Sequence, residues 1–133
     1  MTTFAVIAGG GTSGHVLPAI AIAESLVDSG IDLQQVYFTG AQRGIETDLI
    51  PATGIRHTFF DVVGLHRSLS LKAIRNNWAF ASRLLKARRQ AVILFKNELP
   101  KVVVSVGGYA SLPAVLAARK LDIPIVVVSY DRT

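Results

Sequence analysis

The sequence predicts an α/β protein with a doubly wound, Rossmann-like parallel sheet, and three observations carry that expectation. Short apolar, β-branched runs alternate with longer helix-forming segments along the chain, the pattern of strands covered on both faces and joined by helical crossovers. Two strand-to-helix junctions are rich in glycine, at Gly9–Gly14 and at Gly107–Gly108. At 133 residues, half of them hydrophobic, the chain is long enough for one domain with its own core and too apolar for disorder. Right-handed crossovers give the doubly wound arrangement, which binds ligands at the C-terminal ends of its strands.

The elements follow in order. Phe4–Ala8 reads as the first strand, and the first helix is expected from about Pro18 to Ser29, closed by Gly30 as C-cap. Val36–Thr39 is the second strand, and a short helix is expected over Gly44–Ala52, ended by Gly54. Arg56–Val62 is the third strand. A long helix is predicted from Ser70 to about Glu98, stopped before Pro100. The β-branched run Val102–Val106 is the fourth strand, Ser111–Leu121 the last helix and Ile125–Ser129 the fifth strand. Ser111 is the expected N-cap of that last helix, with Pro113 in its first turn. This order sets Gly9–His15, Gly40–Arg43, Gly64–Arg67, Gly107–Ser111 and Ser129–Thr133 around one rim.

Composition narrows the function. No apolar run reaches the roughly 18–20 residues of a membrane span, and the N-terminus opens into a strand without a basic leader, so no signal peptide is expected. The absence of cysteine excludes disulfides and thiolate metal sites and suits a cytosolic setting. The net charge of +5 favours an anionic partner. Nucleic acid fits poorly, because the basic residues concentrate on one helix without interleaved aromatics for stacking.

The stretch Ile7-Ala-Gly-Gly-Gly-Thr-Ser-Gly-His-Val-Leu-Pro18 turns a strand into a helix. Glycines let the backbone turn tightly and approach a ligand, and a helix N-terminus offers free N–H groups to phosphate. Gly9, Gly11 and Gly14 match G-x-G-x-x-G, yet the second strand ends in Gly40-Ala-Gln-Arg43 without the acid of a dinucleotide site, and no Gly-Lys-Ser/Thr follows as in a P-loop. Thr12 and Ser13 add hydroxyl donors, and His15 is the one residue of the loop whose type moves protons near neutrality. The second glycine loop, Val106-Gly-Gly-Tyr-Ala-Ser-Leu-Pro113, opens a helix on the same edge. Two such loops suit a two-sided cradle for a diphosphate; the alternative is a pair of packing turns.

With Thr39-Gly-Ala-Gln-Arg-Gly-Ile-Glu-Thr-Asp-Leu-Ile-Pro51 between them, the two loops give an order and spacing that resemble the N-terminal, acceptor-binding domain of the MurG family. These are membrane-associated N-acetylglucosaminyltransferases of peptidoglycan synthesis, of the GT-B class. The resemblance covers nearly the whole chain. It implies transfer of N-acetylglucosamine from UDP-N-acetylglucosamine to the 4-hydroxyl of the muramyl unit of a polyprenyl-diphosphate-linked muramyl peptide, with inversion and without a metal or other cofactor. Gly11, Thr12, Ser13 and Gly14 then face the donor and the acceptor diphosphate, and His15 is the candidate general base; a histidine that only caps and orders the loop is the alternative. Gly107, Gly108, Tyr109 and Ser111 face the acceptor. After the fifth strand the family usually reads His-Glu-Gln-Asn, where this chain has Val128-Ser-Tyr-Asp131. Asp131 thus takes the slot of an asparagine tied to donor binding, and a carboxylate there cannot donate unless protonated. The resemblance also sets the chain as a single domain, residues 1–133, with the donor-binding C-terminal half expected elsewhere, in cis or in trans. A non-catalytic membrane-peripheral subunit that binds a lipid diphosphate is the competing reading.

Leu71, Ile74, Trp78, Ala81 and Leu85 recur at one helical stripe, beside a basic face of Lys72, Arg75, Arg83, Lys86 and Arg89. With Leu69 just before, this end of the long helix suits an anionic membrane surface on the cytoplasmic side, the contact set being Leu69, Leu71, Lys72, Ile74, Arg75 and Trp78. The alternative is a stripe packed on the sheet with a solvated basic face. Glu46 and Asp48 read as surface charges, His57 as a packed strand residue, and His66 as a rim residue open to a substrate contact.

Overall fold

The computed structural model describes residues 2–11, 13–62 and 71–128, with the side chains of all but 13, 71–77 and 80. Five parallel strands form one sheet in the order β3-β2-β1-β4-β5. They are β1 (Ala5–Gly9), β2 (Val36–Ala41), β3 (Arg56–Phe60), β4 (Val102–Gly107) and β5 (Ile125–Val127). The chain winds outward from β1 to β3, then crosses back to β4 on the other side of β1. This reversal puts the topological switch point between β1 and β4, where open α/β sheets bind ligands. The doubly wound, Rossmann-like expectation is met.

Helices α1 (Ser13–Asp28), α2 (Glu46–Leu49), α3 (Leu71–Glu98) and α4 (Leu112–Lys120) cover the sheet. Alternation along the strands sorts the core into two layers. Ile7, Phe38, Val104 and Val106 face α1 through Val16, Ala19 and Ala23. Val6, Ala8, Tyr37 and Val103 face α3 and α4 through Ala87, Ala91, Phe95, Ala114 and Ala117. Small residues on α4 and on the inner side of α3 let these two helices lie close to the sheet and to each other.

Several boundaries differ from expectation, β3 ending at Phe60 instead of Val62 and β5 at Val127 instead of Ser129 among them, and two of the differences have a clear physical reason. α1 begins at Ser13, five residues before Pro18, which lies inside the helix. Proline there forgoes one ladder hydrogen bond, and the packing of Val16 and Ala19 against the sheet outweighs that loss. Ser13, Gly14 and His15 are therefore already helical. β2 runs on through Gly40 and Ala41, because β3 pairs with it as far as Ala41↔Phe60. The C-terminus of α1 closes as expected: Gly30, at φ +110, donates to Val27 O at 3.0 Å and Ile31 donates to Leu26 O at 3.0 Å, the paired bonds of a Schellman cap.

On α3 the inward stripe is Leu84, Ala87, Ala91, Val92 and Phe95. Trp78 is 79 % exposed and Leu85 56 % exposed, and Ala81 is exposed as well. At Trp78, Ala81 and Leu85 the apolar stripe thus points away from the sheet, while the side chains of Leu71 and Ile74, its other members, lie outside the described set. Among the described residues no helix is long and apolar enough to cross a membrane.

Candidate active site

The β1/β4 register brings the two glycine loops together. Ala8 pairs with Ser105 and Gly9 with Gly107, the register slipping by one residue between them. Both loops therefore leave neighbouring strands side by side, and each leads directly into a helix. Gly10 and Gly11 take φ of +130 and +88, and Gly107 and Gly108 take +95 and +82. All four lie in territory that other L-residues rarely adopt, so the turns depend on glycine itself.

The loops also touch. A Cβ added at Gly108 would stand 2.7 Å from Gly10 O. One added at Gly11 would stand 2.7 Å from Cε1 of Tyr109, so the tyrosine ring of the second loop lies against the backbone of the first. His15, in the first turn of α1, reaches the other way. A Cβ at Gly107 would be 3.4 Å from its Cδ2 and 3.5 Å from its Nε2, and one at Gly108 3.4 Å from its Nδ1. The imidazole of the first loop thus lies over the Gly107–Gly108 backbone of the second. The ring is half-buried, so it is held by its surroundings while keeping a route to solvent.

Of the residues expected in the site, His15, Gly11, Gly107, Gly108, Tyr109 and Ser111 converge at this junction, while Gly14 is exposed in the first turn of α1. Ser13 starts α1, and its side chain lies outside the described set. Thr12 and Asp131 lie outside the described residues, as do Leu69 and His66; the side chains of Leu71, Lys72, Ile74 and Arg75 do so too. Ser111 takes the position before α4 but does not cap it, because its backbone is helical there and its hydroxyl makes no capping bond. Its Oγ donates instead to Gly108 O at 2.8 Å, so it braces the second glycine loop. α1 beginning at Ser13 also rules His15 out as its N-cap. His57 is packed as expected, with Nδ1 2.8 Å from Ile55 O and the ring stacked on Phe59 at 4.8 Å.

Glu46 is the residue that sequence reasoning missed. Expected on the surface, it is fully buried. Its Oε1 and Oε2 each accept from Gly11 N at 3.1 Å, and Oε2 also accepts from Ala41 N at 3.0 Å. A Cβ at Gly10, Gly40 or Gly44 would collide with the carboxylate. The available signal was Gly40, a glycine in a strand interior, which marks a close approach by another group. Among the described residues no cluster of three or more His, Asp and Glu could hold a metal ion.

The glycosyltransferase family 28 N-terminal domain matches residues 5–128. The chain belongs to that family. A UDP-N-acetylglucosamine–N-acetylmuramyl-(pentapeptide) pyrophosphoryl-undecaprenol N-acetylglucosamine transferase of Limosilactobacillus fermentum is 41 % identical over 122 residues, which is 92 % of this chain and 32 % of that protein. The same-named transferase of Leuconostoc mesenteroides is 40 % identical over the same extent. The crystal structure of MurG from Acinetobacter baumannii superposes with a TM-score of 0.73 at 28 % identity, covering 96 % of this chain and 34 % of that one. The chain therefore spans about a third of the length of the relatives it matches.

Proposed function

We propose that this domain is the acceptor-binding half of an inverting N-acetylglucosaminyltransferase that acts on a polyprenyl-diphosphate-linked muramyl peptide in peptidoglycan synthesis. The observation that supports it most is the contact between the two glycine loops, with His15 of one lying over Gly107–Gly108 of the other. A diphosphate entering this junction meets glycine backbone from both strands and the N-terminal turn of α1, whose N–H groups and positive dipole end favour anions. Gly11 spends its own N–H on Glu46, so its part is to keep the wall thin. The first turn of α1, from Ser13, is the part that faces the ligand with donors.

In this reading His15 removes the proton from the acceptor hydroxyl as its oxygen attacks C1 of the donor sugar. The new bond is O–C1. The bond from C1 to the diphosphate oxygen breaks, UDP leaves with that electron pair, and the proton rests on the imidazole. Attack opposite the leaving group inverts C1. UDP-N-acetylglucosamine is held mainly by a second domain, in cis or in trans, with Asp131 as this chain's approach to it. No metal or other cofactor enters the scheme.

The test uses a soluble prenyl-diphosphate analogue titrated into the labelled 133-residue chain. Amide signals of both Ser13–His15 and Gly107–Ser111 are expected to shift together. Movement of one loop alone, or of neither, overturns the shared cradle.

The α3 surface supports a peripheral place on the cytoplasmic face of the plasma membrane. Trp78 and Leu85 are exposed, with Lys86 and Arg89 exposed beside them, an apolar strip edged by cations that suits an anionic bilayer. Trp78 is the sole tryptophan of the chain, so its fluorescence reports on this surface directly. Vesicles containing phosphatidylglycerol are expected to shift the emission to the blue, whereas neutral phosphatidylcholine vesicles leave it unchanged. An equal response to both, or none, contradicts a charge-assisted membrane contact.

A further inference from the structure

We propose that Glu46 is a positioning residue that sets the shape of the anion-binding turn without touching the ligand. The inference rests on reading the two glycine loops as a diphosphate site. A carboxylate taken fully out of water is costly unless its charge is met, and here peptide N–H groups meet it. Gly11 N donates to both oxygens and Ala41 N to one of them. One side chain thereby ties the loop after β1 to the end of β2. Room for it exists only because Gly10, Gly40 and Gly44 have no side chains, since a Cβ at any of the three would overlap the carboxylate.

The tie falls where the backbone most needs it. Gly10 and Gly11 are consecutive residues at positive φ, and such conformations persist only when their surroundings over-determine them. By drawing the Gly11 N–H inward, Glu46 fixes the plane of the Gly10–Gly11 peptide. That plane decides where the next donors, those of the α1 first turn, point. It also fixes Gly10 O, the atom that a Cβ at Gly108 of the second loop would meet first. Moving the carboxylate therefore changes the aperture between the loops while leaving both sheet layers of the core in place. Charge-assisted N–H to carboxylate bonds are about twice as strong as neutral ones, which suits a fixture that must hold against an incoming anion.

Two variants test this by opposite routes. Glu46→Gln removes the charge and sets an amide N–H against Gly11 N. Gly44→Ala keeps the carboxylate but displaces it, and Gly44 is not among the glycines at positive φ, so alanine suits its backbone. The readouts, on the 133-residue chain, are the amide spectrum and the affinity for inorganic pyrophosphate. Both variants are expected to displace the Gly11 and Ala41 signals, keep native dispersion elsewhere and weaken pyrophosphate binding by about tenfold or more. Displaced Gly11 and Ala41 signals with unchanged affinity overturn the positioning role and leave the diphosphate reading standing. Wild-type chain that binds no pyrophosphate overturns the diphosphate reading, and this inference with it. If one variant fails to fold, the other decides; if both do, Glu46 is a core-stability residue and the proposal falls.

Discussion

Replacing His15 by alanine in the active assembly is expected to lower kcat by roughly 10²–10⁴-fold while leaving acceptor affinity much closer to wild type, the pattern of a lost general base. The geometry sharpens the test. His15 sits within α1 instead of capping it, and its ring lies over Gly107 and Gly108, so filling that space is one structural role open to it. Phenylalanine fills that space and accepts no proton. His15→Phe keeps a ring in that space and is expected to lose kcat as His15→Ala does. Steady-state kinetics of wild type and both variants, with the diphosphate titration run in parallel, separate the roles. Near-wild-type kcat in His15→Phe would end the general-base assignment and make the ring a brace between the two loops.

Much of the fold was legible because its signals are local. The β-branched run at Val102–Val106 and the glycine turns announce buried parallel strands feeding helices, and Gly30 marks a helix end that the Schellman bonds bear out. Residues acting across the sheet were not legible. Glu46 follows Ile45 and precedes Thr47 and Asp48, a setting that looks like the polar first turn of a surface helix. Its burial is decided by Gly11, 35 positions away in sequence. Ser111 was misread for a related reason. Its residue type and position suit an N-cap, but Gly108 O lies within reach of the hydroxyl and takes it first. The start of α1 was placed too late because Pro18 reads as a helix's first turn, while the apolar contacts of Val16 that extend the helix backward belong to tertiary packing. Of the site, the residue types at both loops were readable; that they touch, with His15 of one over the glycines of the other, depends on the β1/β4 register.

That contact predicts a large and position-specific cost at Gly108. Gly108 takes φ +82 and ψ 161, a region open to little besides glycine, and forcing another residue there costs about 1–3 kcal/mol. A Cβ would also lie 2.7 Å from Gly10 O. This obstacle is backbone, itself held at φ +130 beside the Glu46 carboxylate, so no rotamer change relieves it. Overpacking of this kind adds about 1–3 kcal/mol. Gly107 is the internal control. Its φ of +95 carries a similar conformational strain, but its added Cβ would meet only the His15 ring, at 3.4 Å or more, an ordinary contact. Gly107→Ala is thus expected to cost about 1–3 kcal/mol. Gly108→Ala should cost on the order of 2–6 kcal/mol, a large share of the roughly 5–15 kcal/mol by which a domain is stable. Gly108→Ala should also abolish the joint response of the two loops to diphosphate, because relieving the clash requires them to part. Urea unfolding of the two variants measures the difference. Equal losses would mean that the loops are not in contact in solution, and the shared cradle would lose the juxtaposition on which it rests.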